Sequence, residues 1–153
     1  MKTLLIVFHT PSENTQAMAD AMLNAVHAQK LENVNVVLKT PFETQPQDVL
    51  DCHGIILGTT ENLGYMSGAL KDFFDRVYYP CLEEKQGLPV SAIVRAGHDG
   101  TGTCRALNTI LTGLKWRWVQ EIVVCRGPWQ AEFIEQCEDV AAAMAVGLSE
   151  GMI

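Results

Sequence analysis

The sequence predicts an open, doubly wound α/β domain, with a five-stranded parallel sheet between two helical layers, formed by the 153 residues as one domain. Three observations predict it. Five short runs rich in Val, Ile and Leu, at residues 3–8, 34–38, 54–57, 90–95 and 121–125, are almost continuously apolar, as strands covered on both faces are. Segments with apolar residues at three- and four-residue spacing lie between them, the pattern of amphipathic helices. Strict alternation of the two kinds requires parallel strands joined by right-handed crossovers.

The elements follow in order. Met1 to Phe8 is basic and then apolar, but the run is short and leads into His9-Thr10-Pro11-Ser12 instead of a small-residue cleavage site; it reads as a buried first strand, not a signal peptide. Ser12 or Asn14 caps the first helix, whose inner face is Met18, Ala21, Met22, Ala25 and Val26. Beyond the second strand, residues 47–50 form a short helix with little pattern. The third strand leads through a long polar connection to Ser67, which caps a helix striped by Leu70, Phe73, Phe74 and Val77. The fourth strand ends in the Gly-rich residues 97–102, and the next helix carries Leu107, Ile110, Leu111 and Leu114. Trp116 and Trp118 alternate at strand spacing near the sheet edge and are expected to pack a core or subunit surface. After the fifth strand the last helix runs from about Trp129, with Phe133, Cys137, Val140, Ala141 and Met144 on one side.

Composition narrows the function. Hydrophobic residues make up 48% of the chain, enough for a sizeable core. Eleven basic against eighteen acidic residues leave a net charge of −7, which argues against nucleic acid and against an anionic membrane surface as partners. No stretch approaches the roughly 20 apolar residues needed to span a bilayer. The five cysteines are odd in number, scattered, and free of any C-x-x-C pair. They read as buried thiols of a cytoplasmic protein, not a disulfide framework or zinc site.

In an open parallel sheet the ligand crevice lies beyond the carboxyl ends of the strands, where the strand order reverses. Three segments lead there: residues 9–15, 59–67 and 96–102, each polar or Gly-rich and each followed by a helix. The first, with Thr10, Ser12, Asn14 and Thr15, either offers hydroxyls and free amides to an anion at a helix N-terminus or simply caps that helix. The second offers Tyr65 and Met66 as apolar faces for a flat heterocycle, with Gly64 and Gly68 permitting close backbone approach; the alternative is an ordinary connection packed on the sheet. The third, with Gly97, Gly100 and Gly102, suits a backbone that wraps a ligand. Its spacing and position do not match a G-x-G-x-x-G dinucleotide fingerprint.

The first loop resembles the flavodoxin phosphate loop, Ser/Thr-x-Thr/Ser-Gly-Asn-Thr. The run Gly64-Tyr65-Met66-Ser67-Gly68-Ala69-Leu70-Lys71-Asp72-Phe73-Phe74-Asp75-Arg76 resembles the second flavin loop and following helix of flavodoxin-like NAD(P)H-dependent FMN and quinone reductases. The order of elements is similar over almost the whole chain. The resemblance implies a flavodoxin-like sheet of order 2-1-3-4-5 and FMN as cofactor. It places the FMN phosphate on Thr10, Ser12, Asn14 and Thr15, with Glu13 beside them. It lines the isoalloxazine and ribityl chain with Thr60, Glu61, Asn62, Leu63, Gly64, Tyr65 and Met66, and closes Gly97, His98, Gly100 and Gly102 over the ring. Two departures stand out. Glu13 replaces the family's Gly and sets a carboxylate near a phosphate dianion unless it points into solvent; and no aromatic pair brackets the ring, since His98 stands where a second aromatic would be.

Other readings of the same fold fail on chemistry. A response-regulator receiver needs acidic residues, an Asp and a Lys where this chain has Phe8-His9, Gly58-Thr59 and Cys125-Arg126. Ser67 with His98 and Asp99 does not make a hydrolase, because the segment from Gly64 to Gly68 is one residue too long for a nucleophile elbow. Cys104 near a helix N-terminus reads as a small buried residue in preference to a reactive thiolate. The four histidines lack metal-ligand spacing, and only His9 and His98 fall at the crevice.

The leading expectation is an FMN-dependent oxidoreductase that takes a hydride from NAD(P)H and passes electrons to a quinone-like or other acceptor. The resemblance also implies a homo-oligomer. Two alternatives stand beside it: a flavodoxin-type electron carrier without NAD(P)H oxidation, for which an acidic surface suits partner steering, and a flavodoxin-fold binding protein that has lost its cofactor.

Overall fold

The first strand, β1 (Lys2–Phe8), lies inside the sheet and sends alternate side chains to opposite layers. Leu5 and Val7 enter one core cluster; Leu4, Ile6 and Phe8 enter the other. The computed structural model describes every residue from Met1 to Ile153. After β1 the chain forms α1 (Glu13–Ala28), β2 (Val34–Lys39), α2 (Pro46–Asp51), β3 (Gly54–Asn62), β4 (Tyr65–Met66), α3 (Gly68–Cys81), β5 (Pro89–Ala96), α4 (Thr101–Leu114), β6 (Arg117–Trp118), β7 (Val123–Arg126) and α5 (Glu132–Ser149). No helix is long and apolar enough to cross a membrane.

The sheet runs β2-β1-β3-β5, and β6 and β7 share the outer position beside β5. All these pairings are parallel. With β6 and β7 counted as one interrupted strand, this is the predicted 2-1-3-4-5 order. Leu70, Phe73, Phe74 and Val77 of α3 and Leu107, Leu111 and Leu114 of α4 cover one face of the sheet. Met18, Met22 and Val26 of α1 and Phe133, Cys137, Val140, Ala141 and Met144 of α5 cover the other. Because β2 and β3 flank β1 on opposite sides, the chain reverses direction there, and the crevice opens at the carboxyl ends of β1 and β3.

β1 and β3 meet tightly at that end. Phe8 pairs with Gly58 across the ladder. A Cβ at Gly58 would sit 2.3 Å from the Phe8 ring, so the position accommodates only glycine while Phe8 stays in the core.

Toward the carboxyl terminus, two boundaries differ from the sequence reading. The fifth strand, expected at 121–125, is instead split. Val90 pairs with Trp118 and Ile93 with Val123, so residues 119–122 stand against only residues 91 and 92 of β5. The two surplus residues leave the ladder as a bulge between β6 and β7. The last helix begins at Glu132, and Trp129 precedes it, packed edge-on against Phe133 at 5.7 Å. Trp116 lies in the core, and Trp118 packs beside it.

Candidate functional site

The three loops converge at the carboxyl end of the sheet. The first turns from β1 into α1. His9 donates its amide to the Gly58 carbonyl at 3.0 Å, extending the β1–β3 ladder by one residue. Ser12 is the N-cap, with Oγ accepting from the Thr15 amide at 3.2 Å. Thr15 reciprocates: its Oγ1 accepts from the Ser12 amide at 3.0 Å and donates to the Ser12 carbonyl. Thr15 is buried, and its hydroxyl is engaged with Ser12 within the turn. The amides of Thr10, Glu13 and Asn14 have no partner in the protein. Those of Glu13 and Asn14 are free N–H groups of the α1 N-terminus, where the dipole favours an anion, and that of Thr10 lies two residues before the N-cap. Ser12, Glu13 and Asn14 are exposed and Thr10 is half-buried; the Glu13 carboxylate is therefore in water, where salt screens it. Burial holds the His9 imidazole below its ordinary pKa.

The second loop is more ordered than the sequence suggested. β3 continues to Asn62 and pairs antiparallel with β4, Glu61 opposite Met66 and Asn62 opposite Tyr65. Leu63 and Gly64 form the turn between them, with φ of +53° and +75°; two residues at positive φ are what a tight hairpin turn matched to strand twist demands. Thr59 closes the base by accepting the Ser67 amide at 2.9 Å, and Ser67 Oγ in turn accepts from Leu70 to cap α3. Thr60 and Asn62 join side chains at 2.9 Å. Leu63 is fully exposed at the tip and Tyr65 is 39% exposed, while Met66 is buried beneath them.

The third loop is fastened from two sides. Glu61 accepts from the His98 amide at 3.0 Å and from the Gly100 amide at 2.8 Å. Arg126 Nε donates to the Asp99 carbonyl at 3.0 Å. Asp99 bonds the Thr101 amide, which together with the Thr101 hydroxyl holds its carboxyl below the usual range. Gly100 adopts φ +72° as the N-cap of α4. Gly102 lies directly against the hairpin turn, its absent Cβ 1.9 Å from the Gly64 carbonyl oxygen.

All the sequence-predicted residues thus belong to the loop cluster, but their tasks divide. Thr10, Ser12, Glu13 and Asn14 border the free amides, while Thr15 is committed to the cap. Leu63, Gly64 and Tyr65 form the accessible hairpin; Glu61 faces the third loop. Gly97 and His98 are exposed on that loop. Two residues outside the candidate set brace the loops. Thr59 fastens the hairpin base, and Arg126 braces the third loop from β7. Arg126 directly follows the last strand residue read from the sequence, the one signal available for it.

Concavities flank the cluster. One of about 220 Å³ lies beside the first loop, with Thr10, Gln16, Lys39 and Glu43 in its wall. Another, about 380 Å³, lies between the hairpin and α4 and includes Gly64, Tyr65, Gly102 and Arg105. The largest, about 560 Å³, opens between α4 and the edge strand and contains no residue of the first two loops. It includes Cys104, whose thiol burial pushes up in pKa, away from a reactive thiolate.

Strand order and loop cluster together define a flavodoxin-like α/β protein. A family model described as NADPH-dependent FMN reductase matches residues 17–130, and the chain belongs to that family, which implies a flavin. A flavodoxin from Aquifex aeolicus (strain VF5) is 35% identical over 114 residues, covering 74% of this chain and 60% of the relative. The match therefore spans less than two thirds of that relative's length. Among solved structures, a flavodoxin from the domain Archaea superposes with a TM-score of 0.77 at 18% identity, covering 95% of this chain and 97% of the other. A flavodoxin, WrbA-like protein from Agrobacterium tumefaciens gives 0.74 at 14% identity, with 99% of each chain covered. At these identities the two structures bear on fold alone.

Proposed function

We propose that the chain binds FMN at the β1–β3 switch point and serves as a flavodoxin-type electron carrier. The observation that carries this reading is the set of unpaired amides at Thr10, Glu13 and Asn14, facing the same crevice end as the Tyr65 hairpin. The donor set fits a phosphate monoester without any Lys or Arg, because amides and a helix dipole suffice to seat a phosphate. The Thr10 and Ser12 hydroxyls and the Asn14 side chain complete the seat. Residues 60–66 line the ring and ribityl chain, with Tyr65 supplying an aromatic face. Gly97, His98, Gly100 and Gly102 bound the opposite side.

When bound, FMN supplies the redox chemistry, and the protein supplies position and electrostatics. The first loop fixes the phosphate end, and the hairpin limits water at the ring. Tyr65 and Leu63, exposed at the hairpin, present the apolar edge through which electrons leave or arrive. The net charge of −7 suits steering toward a basic redox partner, and five free thiols suit a reducing compartment. The 35% identity to a protein named flavodoxin supports the carrier reading.

A second reading, NAD(P)H-dependent reduction of a quinone-like acceptor, is favoured by the family match over residues 17–130. One experiment separates them. The purified protein is incubated with FMN, desalted, and its visible spectrum followed anaerobically on addition of NADPH or NADH. Retained flavin that stays oxidised supports the carrier; rapid bleaching establishes the reductase; loss of all flavin sinks both.

A further inference from the structure

Glu61 is the only carboxylate that joins two of the three loops through paired hydrogen bonds, and it makes no ion pair. We propose that Glu61 is a positioning residue that latches the hairpin to the third loop, so that both present one surface to the flavin ring, a role that rests on the FMN reading above.

The geometry is bidentate. One carboxylate oxygen accepts from the His98 amide at 3.0 Å and the other from the Gly100 amide at 2.8 Å. Charge-assisted bonds of this kind are stronger than neutral ones and fix direction as well as distance. Gly100 is the N-cap of α4 and has no side chain with which to cap it. Glu61, reaching across from β3, accepts the amide of the N-cap residue itself, the bond that an N3 Glu makes within its own helix in a capping box. The carboxylate also sits where the α4 dipole favours negative charge, which compensates for the missing cation.

The contact has two consequences. It occupies the amides with which the third loop would otherwise capture an anion, leaving the free amides of α1 as the phosphate seat. It also holds α4 against the hairpin at the close approach of Gly102 to the Gly64 carbonyl. Without the carboxylate, a loop with glycines at 97, 100 and 102 gains conformational freedom, and the hairpin loses its support on that side.

The test uses the full-length chain, wild type, Glu61→Gln and Glu61→Ala, with amide hydrogen exchange measured on the apoprotein and FMN dissociation on the loaded protein. Glu61→Ala is expected to raise exchange at His98 and Gly100 by about tenfold or more, and to speed FMN release by a similar factor. Glu61→Gln, whose amide oxygen accepts one of the two bonds, falls between. Unchanged exchange at both amides in Glu61→Ala overturns the latch. Faster exchange with unchanged FMN release overturns its role toward the flavin. A wild-type protein that retains no FMN overturns the cofactor reading itself, an outcome told apart from failure of the latch because exchange is read without flavin.

Discussion

Gly102 and the carbonyl of Gly64 approach so closely that a methyl group at 102 would lie 1.9 Å from the oxygen. One partner is the first turn of α4 and the other is the hairpin turn, and neither is a flexible side chain that can step aside. Gly102→Ala is therefore expected to force backbone movement between the two loops, at a cost of about 1–3 kcal/mol. FMN affinity, read by fluorescence titration, should fall at least about tenfold. An unchanged dissociation constant would show that the hairpin does not depend on α4 for its position.

The contact between Gly58 and Phe8 lies below the site, in the core. Gly58→Ala places a Cβ 2.3 Å from the ring, and Phe8 has no room to swing because it is 1% exposed. A loss of about 1–3 kcal/mol is expected, seen as a lower urea midpoint with an unchanged slope. Preserved stability would mean that Phe8 has another rotamer to occupy.

At the start of α1, Asn14→Asp combined with Thr15→Ala adds a carboxylate beside the free amides and removes half of the reciprocal cap. FMN retention after desalting is expected to drop sharply, by about a hundredfold in affinity. Glu13 behaves differently, because it is exposed. Glu13→Gln should change affinity by less than about threefold at physiological salt, the regime in which exposed charges are screened. A large gain on Glu13→Gln would place that carboxylate against the phosphate.

Two histidines make stability depend on pH. Burial lowers the pKa of His9 below the ordinary 6.5. Burial, then the charges of Lys2, Lys85 and the N-terminus, lower that of His53, whose Nδ1 accepts the Thr3 amide at 2.9 Å. The unfolded chain thus binds protons more readily than the folded one as pH falls through 6.5, so stability is complete above that value and declines below it. Urea midpoints should be lower at pH about 5.5 than at pH about 7.5, and His53→Gln should flatten the difference. A pH-independent midpoint would contradict neutral imidazoles in the folded state.

The interior strands were legible because burial on both faces leaves an apolar run with little else in it: Leu4 to Phe8 and Ile55 to Leu57 needed no context. The hairpin reads as a loop in the sequence because β4 is two residues long and its turn, Leu63-Gly64, lacks the Asn-Gly or Asp-Gly signal of such turns. The split edge was invisible for the opposite reason. Ile122 to Cys125 reads as one apolar run, and the surplus residues at 119–122 appear only when counted against β5. In the site, the loops were found from topology and local composition. The Glu61 contacts were not, since their partners are 37 and 39 residues distant and leave no local trace.

The interrupted outer strand also bears on what the protein does not do. A free sheet edge exposes a row of unpaired N–H and C=O groups that can template strand addition from another chain. Here that row is broken into β6, two residues, and β7, four residues, with residues 119–122 pushed out of line between them. An incoming strand finds no continuous ladder longer than β7 and would have to follow the bulge to gain more. The same two surplus residues that disturb the fold's regularity therefore guard this one of the sheet's two edges against intermolecular β-pairing, without a covering helix or a proline, while the opposite edge, β2, stays continuous from Val34 to Lys39.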